Sequence, residues 1–128
     1  MNKKYKCIDC FCGAGGLCLG LIQAGFDILY SFDIEAKAIA TIKANPEYFK
    51  NHKAETRDIY DVETAELLKS LNLKSGELDL LAGGPPCQAF LSKESEQTLT
   101  NVIILLRSIS ARLLLFGQRC SYSRMFLV

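Results

Sequence analysis

Six cysteines stand in 128 residues, and four of them, Cys7, Cys10, Cys12 and Cys18, fall within the stretch CIDCFCGAGGLCLG. A fifth, Cys87, follows two prolines in GGPPCQAF. Thiols do two kinds of chemistry: as thiolates they ligate soft metals and clusters, and when activated they attack electrophilic carbon. The first cluster reads poorly as a metal site. Cys7, Cys10 and Cys12 lie on or beside a short apolar strand whose side chains alternate between faces. Cys10 and Cys12 are expected on one face, Cys7 on the other, and Cys18 inside the following helix. Small buried cysteines are common core residues. Cys87 is different, because a thiol on a proline-stiffened loop after a glycine pair has the setting of a nucleophile.

The glycines of FCGAGG suggest what the first stretch does. A strand, a glycine turn and a helix start let backbone N–H groups approach a ligand with no Cβ in the way. An acid closing the next strand can take two ribose hydroxyls, and Asp33, ending DILYSFD, stands at that spacing. The full dinucleotide fingerprint is missing. Asp9, just before the turn, would repel a pyrophosphate but suit a ligand carrying positive charge, such as the sulfonium and ammonium of S-adenosylmethionine. Glu35 reads as a first-turn helix acid.

Strands alternating with helices must position these groups. Tyr5 to Phe11 reads as a buried strand, and LCLGLIQAGF as a helix presenting Leu17, Leu21 and Ala24, stopped at Gly25. DILYSFD is a second strand, and EAKAIATIKAN a helix ended by Asn45-Pro46. A loop through the single histidine, His52, leads to a third strand within AETRDI. Asp61 is a candidate cap for a helix over VETAELLKSLN, with Asn72 near its end, and ELDLLAGG is a fourth strand. This order implies a parallel sheet with right-handed crossovers. Its ligand edge gathers Asp9 to Gly16, Asp33 to Glu35, Arg57-Asp58 and Gly83 to Ser92.

Composition sets the bounds. A formal net charge of +1 gives no overall electrostatic signal for nucleic acid or membrane, so polyanion binding would need a local patch or a partner. No apolar h-region follows the basic MNKKYK start, and the run from Leu99 to Phe116 is broken by Arg107 and Arg112. A cytoplasmic or nucleoid-associated chain with reduced thiols is the expectation.

The motifs DCFCGAGG, LGLIQAGF, YSFDIEAKAIATIKAN, RDI and GGPPCQAF, in this order, resemble the cytosine-5 DNA methyltransferase family over roughly residues 5–92. The resemblance implies an α/β, Rossmann-like S-adenosylmethionine-dependent methyltransferase fold with a truncated parallel sheet. It also implies transfer of a methyl group from S-adenosylmethionine to C5 of cytosine in DNA, in the setting of restriction-modification. Phe11, Gly13, Gly15 and Gly16 would then surround the amino-acid end and ribose of the cofactor. Asp33 would bind the ribose hydroxyls, Ile34 would pack on adenine, and Asp58 would accept from the adenine amino group. Pro86 would border cofactor and target base. Cys87 would add to C6 of a base flipped out of the helix, making C5 nucleophilic. No metal is implied.

The sequence departs from the family pattern after this point. Leu91 stands before Ser92, where family members continue directly from CQAF to serine. Thr100-Asn101-Val102 lacks the acid of the family's Glu-Asn-Val element, and Gln118-Arg119 does not replace the later arginine motif. No acid follows Glu96, while arginines continue. The expected organisation is therefore residues 1–92 as the front of a catalytic domain and 93–128 as an atypical tail, helical or out of frame. Such a fragment is expected to be inactive alone and to leave an apolar sheet edge bare. Three alternatives stand beside this reading: a half-enzyme completed by a second polypeptide, a tRNA-directed relative, and a non-catalytic S-adenosylmethionine-binding module. Downstream coding sequence that holds no Glu-Asn-Val segment in any frame would end the disrupted-frame idea.

Overall fold

The segment KCIDC is apolar toward both faces, the pattern of a central strand covered on two sides. It forms β1 (Lys6–Cys10), in which the last four residues are buried. The computed structural model describes residues 4–84 and, as backbone, residues 112–115 and 126–127. After β1 come α1 (Gly16–Gln23), β2 (Asp27–Asp33), α2 (Ala36–Lys43), β3 (Lys53–Thr56), a 3₁₀ turn (Ile59–Asp61), α3 (Thr64–Ser70), β4 (Leu80–Gly83), β5 (Arg112–Leu115) and β6 (Phe126–Leu127). The described strands form one sheet in the order β3-β2-β1-β4-β5-β6. All neighbouring pairs are parallel except β5 with β6. The expected α/β architecture is present, with the strand–helix alternation in the predicted order.

Two apolar layers sandwich the sheet. Under α1 and α2 lie Cys7, Cys18, Leu21, Ile28, Ile39 and Ile42. Under α3 lie Ile8, Cys10, Tyr30, Phe32, Leu67 and Leu81. Fully burying one such aliphatic or aromatic side chain is worth about 1.5–3 kcal/mol, so the two layers dominate the order of the sheet. Ile28 and Tyr30 share parity yet face opposite layers. A register irregularity where Cys7 pairs with Ile28 but Ile8 with Tyr30 inserts Leu29 and turns the strand over.

Several local expectations need correction. The first strand stops at Cys10, because Phe11 adopts a left-handed backbone with φ 58°. That break carries Cys12 back to the layer of Cys7 and Cys18, away from Cys10, so Cys10 and Cys12 do not share a face. In α1 the buried residues are Cys18 and Leu21, and Ala24 is exposed. Asp61 closes the 3₁₀ turn, and Glu63 is the residue that precedes α3. Asn72, with φ 54°, lies just past that helix as expected. The outer edge of β4 is not bare, because the backbone of Arg112–Leu115 pairs with it in parallel. Among the described residues no helix is long and apolar enough to cross a membrane.

Candidate functional site

The register brings the strand ends to one rim. Cys10 pairs with Phe32 on one side and Gly83 on the other, and Asp33 pairs with Thr56. The chain therefore leaves the sheet at neighbouring points into Phe11–Gly16, Ile34–Glu35, Arg57–Asp58 and Gly84. In parallel sheets this carboxyl edge is where ligands bind.

The glycine turn is built from backbone. Cys12 N–H donates to the Phe32 carbonyl at 3.2 Å, and Gly15 N–H to the Cys12 carbonyl at 3.0 Å. Gly13 has φ 53° and Gly15 φ 94°, left-handed conformations in which an L side chain is strained. Gly15 stands at the N-cap of α1, and a Cβ on it would come 2.8 Å from Cζ of Phe49. A Cβ on Gly13 or Gly16 would meet no described atom within 4 Å, so both face open space.

Asp33 locks this turn to the next strand. Its Oδ2 accepts from Gly13 N–H at 2.8 Å and its Oδ1 from Glu35 N–H at 2.9 Å. Each oxygen keeps a further lone pair for a ligand hydroxyl. Beside it Ile34 is 69% exposed, which excludes a core role and leaves an apolar surface next to an acid. Glu35 is the N-cap of α2, its carboxylate accepting from Lys37 N–H at 3.2 Å. Asp58 caps the 3₁₀ turn, with Oδ1 accepting from Tyr60 N–H at 3.1 Å. Arg57 N–H donates to the Asp33 carbonyl at 2.9 Å, so Asp58 follows one strand over from Asp33. Phe11 is half-buried, its ring centroid 6.4 Å from that of Phe32.

Asp9 does not join the rim. It is fully buried, with Oδ2 accepting from the Cys18 thiol at 3.0 Å. It therefore cannot meet a positively charged ligand directly. Burial pushes its carboxyl up to about 6; the Cys18 hydrogen bond lowers it, while nearby Asp33 raises it. Burial likewise pushes the Cys7 and Cys12 thiols up to about 12, and drives Cys10 and Cys18 upward too. Among the described residues no His, Cys, Asp and Glu group is arranged to hold a metal ion.

Of the expected site residues, Phe11, Gly13, Gly15, Gly16, Asp33, Ile34 and Asp58 stand at or beside this rim. Pro86 and Cys87 lie outside the described residues, as do Leu91, Ser92 and Thr100 to Val102. Sequence reasoning gave His52 only a place in a loop and did not single out Phe49. Two aromatics, Tyr48 and Phe49, and the single histidine in the loop NPEYFKNH are the available signal. A hollow of about 390 Å³ along β3, lined by Pro46, Phe49, His52 and Lys53 among others, lies beside that loop rather than among the rim residues.

A model of the C-5 cytosine-specific DNA methylase family matches residues 5–101. This chain belongs to that family. The match spans the glycine turn, Asp33, Asp58 and the Pro-Pro-Cys-Gln segment. Among curated members, the type II methyltransferase M.AgeI of Thalassovita gelatinovora is 44% identical over 85 residues, which are 66% of this chain and 19% of that protein. The chain thus spans about a fifth of the length of that methylase. Among solved structures, one assigned as a DNA modification methyltransferase encoded within an E. coli prophage aligns with TM-score 0.75 and 26% identity. It covers 89% of this chain and 32% of that one. The Dnmt2 methyltransferase of S. pombe aligns with TM-score 0.67 at 20% identity, over 91% of this chain and 35% of that one, a likeness of fold. The expected methyltransferase architecture is therefore the one observed.

Proposed function

We propose that this chain is the methyl-donor-binding and nucleophile-bearing front of a DNA (cytosine-5) methyltransferase that uses S-adenosylmethionine. The observation that carries the reading is Asp33, pinned by Gly13 N–H at 2.8 Å, with Ile34 exposed beside it on the ligand rim. These residues fit the donor. Open space in front of Gly13 and Gly16 admits a ligand against the backbone, the Asp33 oxygens can accept from ribose hydroxyls, and Ile34 offers a face to adenine. Asp58, with one oxygen engaged by Tyr60 N–H, has the other for the adenine amino group. Phe11, Gly15 and Gly16 complete the turn, and Pro86 borders donor and base. S-adenosylmethionine supplies an electrophilic methyl group on a sulfonium.

The work of the chain is then positional and nucleophilic. The rim fixes the donor, and Cys87, four residues past the end of β4 in the chain, is the proposed nucleophile. One chain thus supplies both the donor site and the attacking group, and an encounter of two substrates becomes an oriented one. The Cys87 thiolate adds to C6 of a flipped cytosine, forming a C–S bond and moving electron density to C5. Once C5 is substituted, loss of its proton expels the thiolate and restores the ring. Base extrusion costs a few kcal/mol, which contacts to the DNA must offset.

Labelled-methyl transfer and covalent trapping on a 5-fluorocytosine oligonucleotide test this. The chain is assayed on DNA and tRNA, alone and with a co-expressed polypeptide carrying the Glu-Asn-Val element. A trapped adduct on DNA that disappears in Cys87→Ala is expected. An adduct that survives Cys87→Ala overturns the assignment, and transfer confined to tRNA redirects the substrate.

A further inference from the structure

The loop between α2 and β3 reaches both the glycine turn and the sheet interior. Phe49 lies against Gly15, where only a residue without a Cβ leaves room for the ring. The Phe49 and His52 rings are tilted together with centroids 5.6 Å apart. His52 Nε2 lies 2.7 Å from Oγ of Ser31, which is fully buried on β2 beside Asp9 of β1. A continuous run of neighbours therefore leads from the buried polar pair of the sheet, through His52 and Phe49, to the space a Cβ on Gly15 would fill.

We propose that Phe49 and His52 are positioning residues, a brace that sets the glycine turn and through it the affinity for the methyl donor, and that acid releases the brace by protonating the imidazole. The effect on affinity rests on the donor-site reading above; the brace itself does not. Neutral His52 shares one proton with Ser31 Oγ, and its Nδ1 is buried with no partner among the described residues. Burial lowers the His52 pKa from the usual 6.5. Imidazolium would place a charge and a second N–H in that setting, where no described acceptor meets it. The histidine thus contributes order above pH 6.5 that is lost as pH falls through its lowered folded value.

Burial, rather than a neighbouring charge, favours the neutral ring. Lys43 of α2 and Lys53 of β3 line the adjoining groove with Glu55, whose carboxylate is engaged by Lys53 at 2.8 Å and Tyr30 at 2.6 Å. Toward the sheet, Ser31 is approached by the Cys12 and Cys18 thiols, and Asp9 lies alongside. Asp9, whose carboxyl burial pushes up to about 6, also answers to acid, so the test must separate the two groups.

His52→Gln does so, because its amide can reach Ser31 and does not titrate, while Asp9 stays in place. The full chain is followed by amide NMR from pH 8 to pH 5, reading exchange protection at Gly13, Gly15 and Gly16, with S-adenosylhomocysteine titrated at each pH. In the wild type, turn protection and ligand affinity are expected to fall about fivefold from the neutral to the acid end of that range, an ordinary size for coupled sites. His52→Gln should keep the neutral-pH values and lose the acid response. Phe49→Leu should weaken affinity several-fold at every pH. A His52→Gln chain that titrates like the wild type, or a Phe49→Leu chain with unchanged turn amides and affinity, overturns the brace. A turn that answers to acid through His52 while no ligand binds would uphold the brace and overturn the donor-site reading.

Discussion

Asp33 spends both carboxylate oxygens on backbone N–H groups, at 2.8 Å and 2.9 Å, before any ligand arrives. Its substitution should therefore act twice, on the turn and on the ligand. Asp33→Ala is expected to weaken S-adenosylhomocysteine binding by at least tenfold in calorimetry, since it removes charge-assisted hydrogen bonds worth about 1.5–3 kcal/mol each. Affinity within twofold of wild type would contradict this role. Asp9, one strand away, makes a different prediction. Its folded pKa is raised from 3.8 to about 6, so the folded state binds its proton more tightly than the unfolded state. Burying the ionised form costs stability above pH 6, and the cost is relieved as pH falls toward 3.8. Relative to Asp9→Asn, the wild type should lose about 2 kcal/mol between pH 4.5 and 7.5 in urea unfolding. A pH-independent difference would show that Asp9 is ionised at no cost. The thiols add a count: Cys7, Cys10, Cys12 and Cys18 are buried, with pKa values raised by that burial. A thiol reagent at pH 8 should label no more than Cys87 and Cys120 quickly in the native chain, and all six in denaturant.

At the scale of the element, the turn between β1 and α1 separates two uses of glycine. Gly13→Ala places a methyl group in open space at the rim, and Gly15→Ala drives one into Phe49. Both carry the left-handed penalty of about 1–2 kcal/mol. The first is expected to lose affinity for the donor beyond what its stability loss explains. The second should cost about 1–3 kcal/mol more through the Phe49 clash, read as a larger drop in melting temperature. Equal melting temperatures for the two variants would remove Phe49 from the brace. These distinctions were only partly legible in the sequence. DILYSFD ends at a real strand end and GGPPCQAF begins at one, and strand–helix alternation implied the parallel pairing of the first four strands, not their order in the sheet. The left-handed Phe11, the inserted Leu29 and the approach of Phe49 to Gly15 arise from tertiary packing. No local pattern encodes them, which is why Cys12 lies on a different face, and Asp9 in different surroundings, from those the spacing predicts.

At the scale of the whole molecule, one rim of a parallel sheet collects groups that are far apart in the chain: the turn after β1, Asp33 after β2 and Asp58 after β3. The Pro-Pro-Cys-Gln segment follows β4 in the chain and lies outside the described residues. The shared rim of the other three groups could be foreseen because crossover handedness and the carboxyl-edge rule leave few other arrangements. The parallel pairing of β5 with β4 was not foreseeable, because RLLLFGQRC carries no clear periodicity. The most direct test is a crystal structure of the chain with S-adenosylhomocysteine. The account predicts the ribose on the Asp33 carboxylate, adenine against Ile34 and the Cys87 thiol on the same rim. A ligand bound elsewhere, or a Cys87 thiol turned into the interior away from the glycine turn, would contradict it.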